Sequence, residues 1–168
     1  MPLVSQAKAK KPSTHATKDI AHPTDYEFQA KIAEFVDKRK PTHFIKAILF
    51  DQKSILLFED EINAWLIRVN RSYIGRRWHT LALKNRGMVA FVELTTKTLD
   101  GHLCALMLVR PPLSADPQEF IVQAPFHFLD QMECSTRLIG EMKVQHIDVL
   151  ESSPAKIAQS FIAKLAEC

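Results

Sequence analysis

Residues 88–112 read MVAFVELTTKTLDGHLCALMLVRPP, and this stretch decides the fold. Two apolar runs, residues 88–94 and 102–109, flank the dipeptide Asp100-Gly101, which is typical of a tight turn between antiparallel strands. Pro111 and Pro112 end the second run, because proline cannot donate a ladder hydrogen bond. The stretch therefore predicts an antiparallel β-hairpin.

Further strands and helices are predicted on both sides of the hairpin. Residues 44–50 (FIKAILF) are typical of a short buried strand, and residues 143–149 (KVQHIDV) alternate like another. One helix opens at Asp116-Pro117, and an earlier one stops at Gly75 and carries an apolar stripe formed by Ile62, Trp65, Leu66, Val69 and Tyr73. The order β-α-β-β-α-β predicts an α+β, ferredoxin-like fold with a four-stranded antiparallel sheet and its helices on one face.

Two extra helices are predicted at the ends of the chain. Thr24 and Glu27 have capping-box spacing and precede an apolar stripe that runs to Val36. Ser153-Pro154 opens the last helix, whose stripe is formed by Ile157, Phe161 and Leu165. Residues 1–22 are rich in Lys, Ala, Ser and Thr and are predicted to be a disordered basic tail, so that residues 23–168 form a single domain.

Composition limits the compartment. Cys104, Cys134 and Cys168 are odd in number and widely spaced, which fits neither a disulfide framework nor a CxxC zinc site. We therefore expect three reduced thiols and a cytoplasmic protein. No apolar run is long enough to cross a membrane, and the first residues lack the apolar core of a secretory signal, so no membrane partner is expected.

Common catalytic signatures are missing from the sequence. It has no Gly-rich phosphate loop, no GxSxG elbow and no HExxH helix, and its four glycines are too few for a nucleotide-cradling loop. The predicted central strands carry a single aromatic residue, Phe91, which argues against an RNA-recognition domain of the same element order.

A basic run favours a polyanionic partner. Between Arg68 and Arg86 the sequence has six Lys and Arg residues, one His and no acid: Arg68, Arg71, Arg76, Arg77, Lys84 and Arg86. Such a run is either an ordinary solvated surface or a set of phosphate contacts. We take these six side chains as candidate nucleic-acid contacts.

A second cluster lies in the hairpin. His102 and Cys104 are two residues apart and should project from the same face of a strand, and Glu93 on the partner strand can share that face. Carboxylate, imidazole and thiolate are all metal ligands, so the three residues are a candidate metal site. The alternative is that Cys104 is a small core residue and His102 ends the hairpin.

Taken in order, several segments resemble the replication initiator (Rep) proteins of rolling-circle plasmids and phages, which belong to the HUH endonuclease superfamily. The segments are FIKAILF, INAWLIRVNRSYIGRRW, FVELTTKTLDGHLCALMLVRPP, and the stretch from HIDVLE to SFIAKLAE, and they span residues 43–166. The resemblance implies a metal site of two histidines and a carboxylate that holds Mg²⁺ or Mn²⁺. It also implies a helix-borne tyrosine that attacks a DNA phosphate.

The matching positions depart from the pattern of the family. Glu93, His102 and Cys104 match the metal ligands, with a thiol in place of the second histidine, and Phe161 matches the tyrosine, followed by Lys164. Phenylalanine has no hydroxyl, and thiolate is a poor ligand for a hard ion such as Mg²⁺. Of the two tyrosines, Tyr26 and Tyr73 both belong to other helices, and Tyr73 fits a core stripe.

The resemblance thus predicts a protein that binds single-stranded or hairpin DNA and has lost tyrosine-dependent nicking. An active metal-dependent nicking endonuclease and a non-enzymatic module that binds another protein remain as alternatives. Two structural expectations follow: Glu93, His102 and Cys104 share one face of the sheet, and Phe161 packs on that face as a core residue.

Overall fold

The structure is a computed structural model that describes residues 25–50, 55–95, 101–129, 139–148 and 152–168. Within these ranges the helices are α1 (Asp25–Arg39), α2 (Ile55–Ile74), α3 (Leu81–Lys84), α4 (Pro117–Gln123) and α5 (Pro154–Ala166). The strands are β1 (His43–Leu49), β2 (Val89–Thr95), β3 (Leu103–Arg110) and β4 (Gly140–His146). A single 3₁₀ turn, Ala124–His127, follows α4.

The four strands form one antiparallel sheet in the order β2-β3-β1-β4. β2 and β3 pair as the predicted hairpin, with Phe91 opposite Leu108 and Glu93 opposite Leu106. The predicted α+β class, the β-α-β-β-α-β order and the four-stranded antiparallel sheet are therefore confirmed. The predicted tail, residues 1–22, and the turn residue Asp100 lie outside the described residues.

One face of the sheet is covered by α2 and α4. Phe58, Trp65 and Val69 of α2 are fully buried, and they belong to one core cluster with Ile45 of β1 and Met107 of β3. The indole Nε1 of Trp65 donates to the carbonyl of Ala124 at 2.8 Å, which fixes the end of α4 on α2. Asp116 caps α4 as predicted, because its carboxylate accepts from the backbone of Gln118 and Glu119.

The two helices of the β-α-β-β-α-β unit therefore share one face, as predicted, and the two extra helices, α1 and α5, cover the opposite face. Ile32 of α1 and Phe161 of α5 form a second core cluster with Leu106 and Leu108 of β3. The physical reason lies in β3, whose residues 103–109 are all buried. A strand that is apolar on both sides needs cover on both sides.

The bounds of β4 also differ from the sequence prediction. The strand runs over Gly140–His146 rather than residues 143–149, because β1 pairs with it along its whole length, from Leu49 opposite Gly140 to His43 opposite His146. The bounds of β4 are therefore set by its hydrogen bonds to β1, and not by the local alternation of apolar residues in the sequence.

Candidate functional site

The basic loop, residues 75–87, joins α2 to β2, and Asn70 of α2 anchors the end of the loop that enters β2. The amide Nδ2 of Asn70 donates to the carbonyl of Leu66 at 3.0 Å, and its Oδ1 accepts from the backbone N–H of Met88 at 2.7 Å. Gly75 adopts a φ of 98°, which favours glycine, and ends α2. At Gly87 an added Cβ would lie 3.0 Å from the Asn70 Oδ1, so the loop packs closely on this anchor.

Successive turns within the basic loop keep its backbone compact. The N–H of Trp78 donates to Gly75, that of Thr80 to Arg77, and that of Lys84 to Thr80, at 2.7–3.1 Å. The N–H of Leu113 donates to the carbonyl of Arg86 at 2.9 Å, which ties the loop to the segment after β3. The loop is therefore an ordered projection at the end of the sheet where β2 begins and β3 ends.

Five of the six predicted basic side chains are exposed on or beside this loop: Arg71, Arg76, Arg77, Lys84 and Arg86. No acid lies between residues 68 and 86. Leu81 is 86% exposed at the same projection, and the half-buried ring of Trp78 lies 6.3 Å from that of His79. The exposed part of the loop thus combines cations with apolar and aromatic side chains.

Arg68 does not belong to this surface, and its assignment as a phosphate contact is wrong. Its side chain is buried and forms an ion pair with the buried carboxylate of Glu61. Its Nε donates to the carbonyl of His127 at 2.7 Å. The guanidinium is therefore committed to internal partners, and a phosphate has no access to it.

The three predicted metal positions are not brought together. Glu93 and Cys104 lie on the same face of the sheet, because Glu93 pairs with Leu106 and Thr95 with Cys104. His102 precedes β3, and its ring packs edge-on against Phe50 at 5.1 Å. Across the described ranges, no group of three His, Cys, Asp or Glu side chains is arranged to hold a metal. The predicted shared face is therefore confirmed for Glu93 and Cys104, and the face on which His102 lies stays a prediction.

Cys104 has a different partner. It forms a disulfide with Cys168, which lies 64 positions later in the sequence, and the two Cα atoms are 6.1 Å apart. The prediction of three reduced thiols is therefore wrong for these two cysteines, and Cys134 lies outside the described residues. A sulfur in a disulfide offers no thiolate to a metal. The argument from cysteine spacing for a reducing compartment loses its support.

Phe161 lies in the core, as predicted. It is fully buried, and its ring meets the ring of Phe91 edge-on at 5.7 Å. It packs on the face of β3 that carries Cys104 and Leu106, which confirms this part of the prediction, while its placement relative to His102 stays a prediction. Lys164, one turn later, donates to Oε1 of Gln145 at 3.1 Å and lies 5.3 Å from the centre of the Phe44 ring.

Neither tyrosine is set up as a replacement nucleophile. Tyr26 is exposed near the start of α1, outside the helix that carries the position matching the family's tyrosine. Burial, with the nearby carboxylates of Glu119 and Asp116, raises the pKa of Tyr73, and this disfavours the phenolate that would attack phosphorus. Tyr73 packs against the core of the α2 face, as its stripe predicted.

His43 is a buried titratable group that the sequence did not single out. Its Nε2 donates to the carbonyl of Pro117 at 3.2 Å, because a carbonyl only accepts, and its Nδ1 then accepts from the hydroxyl of Thr42 at 2.8 Å. Burial lowers the pKa of His43 to about 4, partly opposed by the Pro117 hydrogen bond. The ring is thus held neutral between β1 and α4.

A second basic feature was also missed. The lysine cleft is a space of about 190 Å³ between β1, β4 and α5, lined by Lys46, Lys143, Gln145 and Lys164. Lys46 sits in the apolar run FIKAILF, and a charge in a predicted buried strand is the sequence signal that could have marked it.

No protein-family model, curated protein or solved structure matches this chain. Among the helices that the structure describes, none combines the length and apolar character needed to span a membrane.

Proposed function

We propose that the chain binds nucleic acid through the basic loop, with single-stranded or hairpin DNA as its partner. The observation that supports it is the concentration of four exposed cations on the basic loop, with Arg71 beside them at the end of α2: Arg76, Arg77, Lys84 and Arg86. No carboxylate interrupts the sequence of this segment, so its own charged side chains are all positive. Arg and Lys side chains on such a surface release counterions from phosphates, which gives affinity without sequence choice.

The structure of the loop supports this proposal in a second way. A loop whose backbone is already held by Asn70 and by successive turns loses little conformational entropy when it binds. The half-buried Trp78 and the exposed Leu81 place an aromatic ring and an apolar side chain among the cations. Base stacking on an aromatic ring adds affinity for unpaired strands.

The proposal includes descent from an HUH-type, ferredoxin-like initiator that no longer nicks DNA. The position that matches the family's tyrosine is Phe161, whose ring has no hydroxyl and is fully buried. The matching metal positions include Cys104, which is bonded to Cys168. An active endonuclease would need both positions restored, so binding without cleavage fits these residues better.

The binding test uses fluorescence anisotropy with labelled single-stranded, hairpin and duplex DNA at about 50 mM salt and micromolar protein. We expect saturable binding that the double variant Arg76→Gln/Arg77→Gln weakens. The control is Lys31→Gln/Lys156→Gln, which removes the same charge from exposed positions on α1 and α5. Absence of binding by the wild type, or equal weakening in both variants, would contradict the proposal.

A protein-interaction module is the second candidate, and exposed apolar side chains favour it. Ile139 is 69% exposed and its carbonyl accepts from the N–H of Phe50, which is itself 43% exposed, so the two lie side by side. Adjacent apolar side chains on a surface are typical of contact sites. Light scattering over a range of concentrations tests this function: self-association should appear in the wild type and disappear in Ile139→Asp.

A further inference from the structure

The lysine cleft lies on the face of the sheet that α5 covers, and α2 covers the opposite face. Lys46 of β1 and Lys143 of β4 are direct neighbours in the antiparallel register and share this face. Lys164 reaches the same space from α5, where its Nζ contacts both Gln145 and the Phe44 ring. Three lysine side chains from three elements therefore line one small cleft.

This arrangement is unfavourable in the absence of an anion. Like charges directly opposite each other on neighbouring strands destabilise a sheet. Lys143 has a carboxylate partner, Glu141, at 3.4 Å, but no carboxylate in the described part of the chain lies within ion-pair distance of the half-buried Lys46. Glu167 is the one acidic side chain among the described residues that line the cleft. The cleft thus carries an excess of positive charge.

We propose that the lysine cleft binds the phosphate group of a phosphomonoester. Lysine ammonium groups bind phosphate as point charges, and a phosphomonoester brings nearly two negative charges at neutral pH. The amide of Gln145 adds a donor, because its Oε1 accepts from Lys164 and its NH₂ group stays available. Phe44 and Leu106 give the cleft an apolar wall, which fits a ligand with a non-polar or planar portion such as a nucleoside.

This inference does not rest on the basic loop. The cleft and the loop belong to different elements, β1, β4 and α5 in one case and the α2–β2 connection in the other. The two sites can therefore succeed or fail separately. A mononucleotide, or the 5′-phosphate at the end of a strand, is the class of ligand that the cleft would take.

The test is calorimetric titration of the full chain with inorganic phosphate, AMP and adenosine. We expect phosphate and AMP to bind and adenosine to give no heat, since it lacks the phosphate. Lys46→Gln should weaken AMP binding by about tenfold, the effect of one charge-assisted hydrogen bond. The control Lys156→Gln removes an exposed lysine from the same helix as Lys164 and should change the affinity less than twofold.

Two companion measurements complete the test. Lys143→Gln, on an exposed side chain, should reproduce the weaker binding, and the melting temperature of each variant should not fall, because each relieves a like-charge pair. A 5′-phosphorylated oligothymidine should bind more tightly than its 5′-hydroxyl form, which separates a strand end from a free nucleotide.

Three outcomes overturn the proposal. The first is a wild-type chain that binds neither phosphate nor AMP. The second is a decrease in affinity in Lys46→Gln and Lys143→Gln no larger than that in Lys156→Gln. The third is a loss of AMP binding in Arg76→Gln/Arg77→Gln while the lysine variants keep the wild-type affinity for AMP. The phosphate would then bind at the basic loop.

Discussion

Glu61 and Arg68 lie seven residues apart on α2 and form an ion pair in which both side chains are almost fully buried. The same carboxylate accepts the backbone N–H of Leu129 at 2.7 Å, and the guanidinium donates to the carbonyl of His127 at 2.7 Å. Leu129 has a φ of 53°, in the left-handed region. The pair therefore fastens the segment after α4 to the centre of α2.

Removing one member of this pair should strongly destabilise the fold. Arg68→Met leaves the Glu61 carboxylate buried without its cation, and we expect the free energy of unfolding to fall by about 3–5 kcal/mol. Glu61→Leu/Arg68→Met should be destabilised by less than the sum of the single variants, because no lone charge remains. Urea denaturation measures all three, with the exposed Arg71→Met as control. Additive effects, or a change in Arg68→Met equal to that in the control, would refute the role of the pair.

His43 should make the fold sensitive to mild acid. Its pKa falls from the ordinary 6.5 to about 4 in the folded chain, so between these values the unfolded chain binds the extra proton. The free energy of unfolding is therefore highest above pH 6.5, where His43 is neutral in both states. It decreases as the pH falls towards 4, by on the order of 3 kcal/mol in total.

The measurement is the free energy of unfolding from urea titrations at intervals between about pH 4 and 7, the range that spans both pKa values. His43→Gln removes the titrating ring, so the slope attributed to it should vanish, while His79→Gln, at an exposed position, should keep the wild-type slope. A wild-type profile parallel to that of His43→Gln would show that His43 titrates normally.

The Cys104–Cys168 disulfide should stabilise the chain by constraining the unfolded state. Cross-linking residues 64 positions apart is expected to contribute about 4 kcal/mol in the loop-entropy account. Thermal unfolding with and without reductant should show the difference in the wild type and none in Cys168→Ser. Cys134→Ser leaves the pair intact and should keep the response to reductant.

Counting thiols gives an independent check of the same bond. The denatured wild type should gain two titratable thiols on reduction, while Cys168→Ser should gain none. Equal thiol counts before and after reduction of the wild type would contradict the pairing.

Restoring the hydroxyl at Phe161 should not restore nicking. The ring is fully buried against Phe91, so the hydroxyl of Phe161→Tyr would enter an apolar core, which costs about 1–3 kcal/mol. The matched control is Phe126→Tyr, at a side chain that is 73% exposed, where we expect a change within about 0.5 kcal/mol. With Mn²⁺ and single-stranded DNA, no covalent adduct should form. An adduct would mean that this face still works as an active site.

Local chemistry made much of the fold predictable. The Asp100-Gly101 pair, the cap at Asp116 and the apolar stripe of α2 each act within a few residues, and the hairpin, α4 and α2 follow from them. The sequence also contains a signal that helices cover both faces of the sheet. The run HLCALMLV has no polar alternation, which is typical of a strand buried on both faces.

The candidate site was harder to predict, because it depends on contacts between distant residues. Arg68 lies in a basic run, yet its partners include a carbonyl 59 positions away, and its place on the Trp65 face of α2 was the one local sign of burial. Cys104 meets Cys168, and Lys46 meets Lys143, only after the sheet and α5 have assembled. Spacing in the sequence carries no information on such pairs.

The dependence of DNA affinity on salt tests the central claim most directly. Log affinity falls linearly with log salt, and each phosphate that the protein no longer neutralises should reduce the steepness of this fall by about 0.7 for a single strand. We expect Arg76→Gln/Arg77→Gln to lower the wild-type slope by roughly 1.4, twice that value, and Lys31→Gln/Lys156→Gln to leave it unchanged. Equal slopes for the wild type and the loop variant, measured on the same strand from about 50 to 200 mM salt, would contradict binding through the basic loop.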